Sequence, residues 1–205
     1  MKELTSTLLA DGSSDRALIP LLQMLLGELC NVAIADIAMA NTSISNTLAL
    51  DQRIALTLAM FPSEILFVHR DAETQSCDQR VAEIARAAKP GGAAKLICVV
   101  PVRMTEAWLL TQEAAIRRAV GNPRGTVALN LPQVARLEGV PDPKEELFQR
   151  MRLAVDKSAR RMRAFVPEQH RHKVAQHISD LSNLRKLHSF MHLENQLRDY
   201  FKTRT

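Results

Sequence analysis

The chain has 205 residues, of which 46% are hydrophobic and 24% are charged, which is typical of a soluble globular protein with a substantial core. Charges interrupt its apolar runs well before the roughly 20 residues that a bilayer requires, so we expect a cytoplasmic protein without a membrane partner. The three cysteines lie far apart and lack CxxC spacing, which argues against a disulfide framework or a zinc knuckle. We predict that they are buried thiols.

The first 120 residues alternate short β-type segments with helical ones. The predicted strands cover 6–10, 31–37, 64–69 and 94–102, and the helices that follow them cover 16–29, 46–61, 77–89 and 106–120. Four strand and helix units in succession predict a parallel sheet with helices on both faces. The third and fourth strands are continuous apolar runs, which is typical of strands covered on both faces.

The remaining residues have a different pattern. The segment "GNPRG" predicts a turn, and the signals from Pro143 onward are helical. We therefore predict an α/β domain over residues 1–120 and a mostly helical extension over residues 121–205 that packs on it.

The net charge of +5 weakly favours an anionic partner. Basic residues concentrate in "KSARRMRAFVPEQHRHK", residues 157 to 173, where Glu168 is the single acid. This stretch has two interpretations, a solvated helix face and a patch that contacts nucleic-acid phosphates. The candidate phosphate contacts in it are Lys157, Arg160, Arg161 and Arg163.

Carboxylates follow three of the four predicted strands, at the edge of a parallel sheet where ligands bind. The loop "DGSSD" after the first strand contains Asp11 and a second acid at position 15. The loop "HRDAE" after the third strand contains Asp71 and Glu73, and "RMTEAW" after the fourth contains Glu106. The sequence therefore brings acids from separate loops toward one edge of the sheet.

Some of these acids have ordinary structural explanations. Asp11 can cap the first helix, and Glu106 can favour the positive end of a helix dipole. In the third loop, however, the spacing of Ser76 and Gln79 predicts a capping box, which leaves the loop's acids free of that role. Clustered acids repel one another unless a cation compensates, and Mg²⁺ or Mn²⁺ prefers such oxygen ligands.

Lys144 is a further candidate. Asp142 and Pro143 predict the start of a helix, and a lysine in its first turn opposes the helix dipole. Lys144 is therefore either an incidental exposed lysine or a phosphate contact.

The motifs "ADGSSD", "HRDAE" and "TEAWLL" resemble those of the TOPRIM fold, the metal-binding domain of topoisomerases, primases and OLD-type nucleases. With "EAWLL", "DPK" and "SFMHLENQLRDYF", the whole chain is similar to small stand-alone bacterial TOPRIM-like proteins, some of them encoded beside defence systems. The resemblance implies a TOPRIM-like (Rossmann-like) α/β fold, a parallel sheet flanked by helices with a helical C-terminal extension.

The resemblance also implies roles for individual residues. Asp11 stands where the fold has a glutamate that acts as general acid or base, and Asp71 and Glu73 stand at its Asp-x-Asp metal ligands. Glu106 matches a further acid of OLD-like nucleases, and Lys144 matches their lysine. Asp11 is one methylene shorter than the family residue and Glu73 one longer. The exchange either conserves the total reach or marks a site that binds metal without cleaving.

The leading hypothesis is Mg²⁺- or Mn²⁺-dependent phosphoryl transfer on DNA or RNA, most simply by a nuclease of phage defence. Asp11, Asp71, Glu73 and Glu106 would hold the metal. Lys144, Arg70 or Arg103 would stabilise charge on the phosphate. The alternative is a non-catalytic accessory module that binds a nucleotide, a nucleic acid or a partner protein of a defence operon, and the sequence leaves a homo-oligomer open.

Two other segments have a structural and a functional interpretation. His188 and His192 have a spacing that suits a transition metal, but without a nearby acid or cysteine a helix surface is favoured. Trp108, Leu109 and Leu110 form either core or a partner surface, and core is favoured.

Overall fold

A computed structural model describes residues 3–40, 44–88, 94–155 and 164–203. Four parallel strands form one sheet in the order β2-β1-β3-β4. The strands are β1 (Ser6–Leu9), β2 (Ala38–Met39), β3 (Ile65–His69) and β4 (Lys95–Val99). The prediction of an α/β protein with an all-parallel sheet is therefore confirmed.

The helices follow the strands and then fill the second half of the chain. They are α1 (Leu18–Leu29), α2 (Leu50–Met60), α3 (Cys77–Ala87), α4 (Glu106–Leu109), α5 (Glu113–Ala119), α6 (Pro143–Val155), α7 (Arg171–His177) and α8 (His188–Lys202). Short 3-10 helices cover Ser13–Ala17, Val134–Gly139, Pro167–Gln169 and Leu184–Lys186. No helix of the described ranges is long and apolar enough to cross a membrane.

Two helix starts are set by the side chains that the sequence indicated. The Ser76 hydroxyl accepts the N–H of Gln79, and the Gln79 side chain accepts the N–H of Ser76, which is the predicted capping box. Asp142 accepts the N–H of Glu145 at 2.9 Å, which caps α6.

Two elements differ from the prediction. The second strand lies at Ala38–Met39 rather than over 31–37, where the described pairing is a single bridge between Ile34 and Leu4. The helix predicted over 106–120 is divided into α4 and α5. Gln112 is extended at this break, and its amide side chain bonds the backbone of Ser179 and Asp180. These bonds to the extension stabilise a break that helix periodicity does not reveal.

The sheet is covered on both faces. On one face, α2 and α3 pack against Leu9, Leu66 and Val68. On the other face, α1 and the helices of the extension share one core with Leu8 and Phe67. Residues from the second half of the chain in this core include Leu147, Phe148, Met151, Val174, Phe190 and Leu193.

Trp108 lies in the larger core rather than on the surface. Its side chain is fully buried, its indole N–H donates to Ser189 Oγ at 2.9 Å, and its ring meets Phe190 edge to face. Ser189 and Phe190 belong to α8, so Trp108 connects the α/β part to the last helix.

The cysteines are free thiols, as predicted, and two of them are buried. Burial is the main cause that raises the pKa of Cys77 and of Cys98 to about 11. Cys30 is only half-buried.

The exposed edge of the sheet at β4 is covered by one side chain of α8. Gln196 Oε1 accepts the Cys98 N–H at 2.9 Å, and its Nε2 donates to the Cys98 carbonyl at 3.0 Å. The amide thus takes the place of a neighbouring strand. An edge left open would present unpaired backbone groups to other chains.

We expect Gln196→Leu to lower the free energy of unfolding by about 2 kcal/mol, because both backbone groups of Cys98 lose their partner. Denaturant unfolding measures this change, and Asn195→Leu, at the exposed neighbouring position, is the control. Equal stability of the two variants would contradict the assigned role of Gln196.

Candidate functional site

The loops after β1 and β3 enclose a cleft of about 330 Å³, which we call the acidic cleft. The strand register explains why these loops meet. Leu9 of β1 pairs with Val68 of β3, so the segments that follow the two strands leave the sheet side by side. The lining residues are Asp11, Gly12, Ser14 and Asp15 from the first loop, and His69, Arg70, Asp71 and Glu73 from the second. Three predicted site acids, at positions 11, 71 and 73, therefore line one cleft.

Asp11 is held by two arginines. Arg53 Nη1 lies 2.5 Å from Oδ1 of Asp11, and Arg70 Nε lies 3.0 Å from Oδ2. Arg53 is buried on α2 and also donates to the Ala10 carbonyl. Both carboxylate oxygens are thus engaged. Asp11 does not cap the first helix, because the 3-10 helix that precedes α1 begins at Ser13 and its N-cap residue is Gly12.

Asp15 is the acid of this loop that turns toward the end of β3. Its Oδ2 accepts the Gly12 N–H at 2.9 Å and lies 3.9 Å from His69 Nε2. Asp15 was predicted to lie in this loop, but no functional role was predicted for it. Its position three residues after Gly12 was the available signal, since a capping acid there folds back over the preceding loop.

His69 lies close to two carboxylates of the cleft, those of Asp15 and Asp71. Its Nδ1 donates to the Val99 carbonyl at 2.9 Å, which directs Nε2 toward the cleft. Nε2 lies 3.6 Å from Asp71 Oδ1 and 3.5 Å from Thr105 Oγ1. Together with the contact to Asp15, this makes the buried imidazole the shared neighbour of two acids.

Asp71 has the most perturbed carboxyl group of the cleft. Its Oδ1 accepts the Thr105 N–H at 3.0 Å, because the loops after β3 and β4 run side by side. Burial is the largest cause that raises the pKa of Asp71 from 3.8 to about 6. His69 lowers this pKa, and Glu106 and Asp15 raise it. Negative charge on Asp71 is therefore only partly compensated.

This pKa predicts a pH dependence of stability. Between pH 3.8 and about 6 the folded protein binds more protons than the unfolded chain, so ionisation of Asp71 lowers the free energy of unfolding as the pH rises. The loss is up to roughly 3 kcal/mol, at about 1.4 kcal/mol per pKa unit. Asp71→Asn, which keeps the acceptor for Thr105, should be more stable than the wild type at pH 8 and nearly equal at pH 4. Denaturant unfolding at both pH values tests this, and equal stability at pH 8 would contradict it.

Glu106 lies behind the acidic cleft rather than in it. Its side chain is 3% exposed and forms an ion pair with Arg171 of α7. It is nevertheless near enough to Asp71 to raise that residue's pKa. A buried pair of this kind is a neutral unit in which each partner depends on the other.

Glu73 and Arg103 lie on the facing loops after β3 and β4. Both have left-handed backbone, with φ of 54° and 65°, and the Glu73 N–H donates to the Arg103 carbonyl at 3.1 Å. The Glu73 side chain is 66% exposed and lies 3.9 Å from Arg80. Non-glycine residues in this conformation cost of order 1 kcal/mol each and cluster at functional sites.

The remaining predicted residues lie elsewhere. Lys144 lines a neighbouring cleft beside α6, and its Nζ lies 5.8 Å from the centre of the Phe148 ring. His192 Nδ1 contacts Gln196 Nε2 at 3.1 Å. The basic residues Lys157, Arg160, Arg161 and Arg163 lie outside the described residues.

The predicted metal ligands do not gather into one set. Across residues 3–40, 44–88, 94–155 and 164–203, no three His, Cys, Asp or Glu side chains are grouped to hold a metal ion. Asp11 and Glu106 are engaged by arginines, whereas Asp71 and Asp15 both lie near His69 Nε2. Mg²⁺ is commonly bound by one or two carboxylates and completed by water, and Asp71 with Asp15 fits that donor set.

No protein-family model matches this chain, and no curated protein and no solved structure is significantly similar to it. The TOPRIM resemblance therefore stays a prediction that rests on its motifs.

Proposed function

We propose that the acidic cleft binds Mg²⁺ or Mn²⁺ and catalyses phosphoryl transfer on nucleic acid, most simply as a TOPRIM-like nuclease of phage defence. The observation that carries the proposal is Asp71, whose pKa of about 6 reports incompletely compensated negative charge where two parallel strands end. Perturbed carboxyl groups in a cleft at this edge are typical of functional sites.

Asp71 and Asp15 would hold the ion, and Glu106, although paired with Arg171, raises the pKa of Asp71. A bound ion would polarise a phosphate and lower the pKa of a bound water. The Thr105 N–H fixes Asp71 Oδ1, and His69 Nε2 lies 3.6 Å from Asp71 Oδ1 and 3.9 Å from Asp15 Oδ2. This arrangement orients the carboxylates before any ligand arrives.

Arg70 supplies positive charge at the rim of the same cleft. It is partly exposed and contacts both Asp11 and Glu83. A guanidinium in this position can bind the non-bridging oxygens of a phosphodiester.

Substrate class is tested with purified protein and supercoiled, linear and single-stranded DNA, and with RNA, each in Mg²⁺, Mn²⁺ or chelator. We expect cleavage of at least one substrate in the metal-containing samples alone. Absence of metal-dependent cleavage on every substrate would overturn the nuclease proposal.

One observation favours a second candidate, the non-catalytic accessory module. Arg53 and Arg70 engage Asp11, and Arg171 engages Glu106, so arginines supply much of the compensation that a second metal ion would provide. A module of this kind would bind nucleotide, nucleic acid or a partner protein without turnover. Metal-dependent stabilisation without cleavage would favour it.

A further inference from the structure

A second cleft, of about 460 Å³, adjoins the acidic cleft, and we call it the basic cleft. The 3-10 helix after β1, the first turns of α6 and α7, and the segment before α7 enclose it. Its polar lining includes Ser13, Ser14, Arg16, Lys144, Glu168 and His172. Ser14 lines both clefts, so the two adjoin at this residue.

The basic cleft has two cations that form no ion pair within the described residues, although Lys144 lies over the Phe148 ring. Arg16 and Lys144 are exposed, and neither has an ion-pair partner in the part of the chain that the structure describes. Arg171 also lines the cleft, but its charge is committed to Glu106. The acid of the lining is Glu168, so two uncommitted cations face one exposed carboxylate.

His172 provides an independent observation. Its Nδ1 is buried and has no hydrogen-bond partner within the described ranges. Such an atom costs of order 1–3 kcal/mol unless something satisfies it. Burial, and then the nearby Arg16 guanidinium, lower the pKa of His172, and a hydrogen bond with the Arg16 backbone opposes this shift. The His172 side chain lines the basic cleft. A ligand with several acceptor oxygens would satisfy the two cations of the cleft.

We propose that the basic cleft binds a backbone phosphate of the nucleic-acid strand whose neighbouring phosphodiester occupies the acidic cleft. This inference rests on the proposed function. Arg16 and Lys144 would contact the phosphate as charges, and Ser13, Ser14 and His172 would contribute hydrogen bonds. The tetrahedral oxygens of a phosphate match donors that approach from separate helices better than the two oxygens of a carboxylate.

Binding of a labelled 12-nucleotide single strand, followed by fluorescence anisotropy in chelator, tests the assignment without requiring catalysis. We expect Arg16→Ala and Lys144→Ala each to weaken binding roughly fivefold to tenfold and to reduce the salt dependence by about one ion. Arg118→Ala, at an exposed arginine outside both clefts, should change binding less than about twofold. Wild-type affinity in both cleft variants would overturn the inference.

His172→Leu separates binding from folding. Removal of the unsatisfied Nδ1 should raise the melting temperature, while the loss of a donor weakens strand binding. A variant that binds the strand as tightly as the wild type would contradict the role of His172.

Competition identifies the source of the phosphate. Displacement by unlabelled strand at low concentration, with ADP effective only at millimolar concentration, supports a strand. Displacement by micromolar ADP would overturn the strand assignment and indicate that a nucleotide occupies the basic cleft.

The two proposals fail separately. Wild-type cleavage in Mg²⁺ together with unimpaired binding by Arg16→Ala and Lys144→Ala would remove the phosphate site and leave the nuclease. Impaired binding by both variants, together with no cleavage by the wild type, would keep the phosphate site and remove the nuclease proposal.

Discussion

Arg171→Met should lower the free energy of unfolding by about 3–5 kcal/mol, because it leaves the buried carboxylate of Glu106 without a partner. Arg171 and Glu106 lie far apart in the chain, so their pair also fixes α7 against the end of the sheet. Denaturant unfolding at pH 7.5 measures the loss.

Two controls isolate the buried charge. Arg152→Met breaks the exposed pair between Arg152 and Glu145 and should change stability by less than about 0.5 kcal/mol. The double variant Arg171→Met with Glu106→Gln removes both charges and should regain most of the lost stability. If Arg171→Met unfolds like the wild type, the pair has no structural role.

Asp71→Asn should reduce metal-dependent cleavage by about 10³-fold or more, because it removes the charge that would hold the ion while it preserves the acceptor for Thr105. The assay compares initial rates on the substrate that the wild type cleaves. Asp199→Asn, at an exposed position on α8, is the matched control and should retain wild-type rates.

The same substitution is expected to stabilise the protein at pH 8, so its loss of activity cannot be attributed to unfolding. A functional carboxylate that costs stability is a common trade-off. Wild-type cleavage rates in Asp71→Asn would exclude Asp71 from the chemistry.

The sequence predicted those parts of the fold that depend on local patterns. Continuous apolar runs located β3 and β4, and the Ser76 capping box located the start of α3. The break at Gln112 and the position of β2 were not predicted, because each depends on a contact with a distant segment. Local hydrophobic periodicity does not indicate such long-range contacts.

The candidate site, like the fold, was predicted only in part. Their positions after predicted parallel strands placed Asp11 and Asp71 at one edge of the sheet, but nothing in the sequence indicated that Arg53 would engage Asp11. These two residues are 42 positions apart. The expected compensation of clustered acids by a metal ion is therefore shared with arginines that only the folded structure brings near. This finding shifts the predicted ion toward Asp71 and Asp15.

Binding of a divalent cation through Asp71 is the central claim, and thermal unfolding at pH 7.5 with and without Mg²⁺ or Mn²⁺ tests it most directly. At a cation concentration about tenfold above the dissociation constant, the wild-type melting temperature should rise by roughly 3–5 °C. The melting temperature of Asp71→Asn should not change on addition of the cation. No shift in the wild type, or an equal shift in Asp71→Asn, would contradict the account.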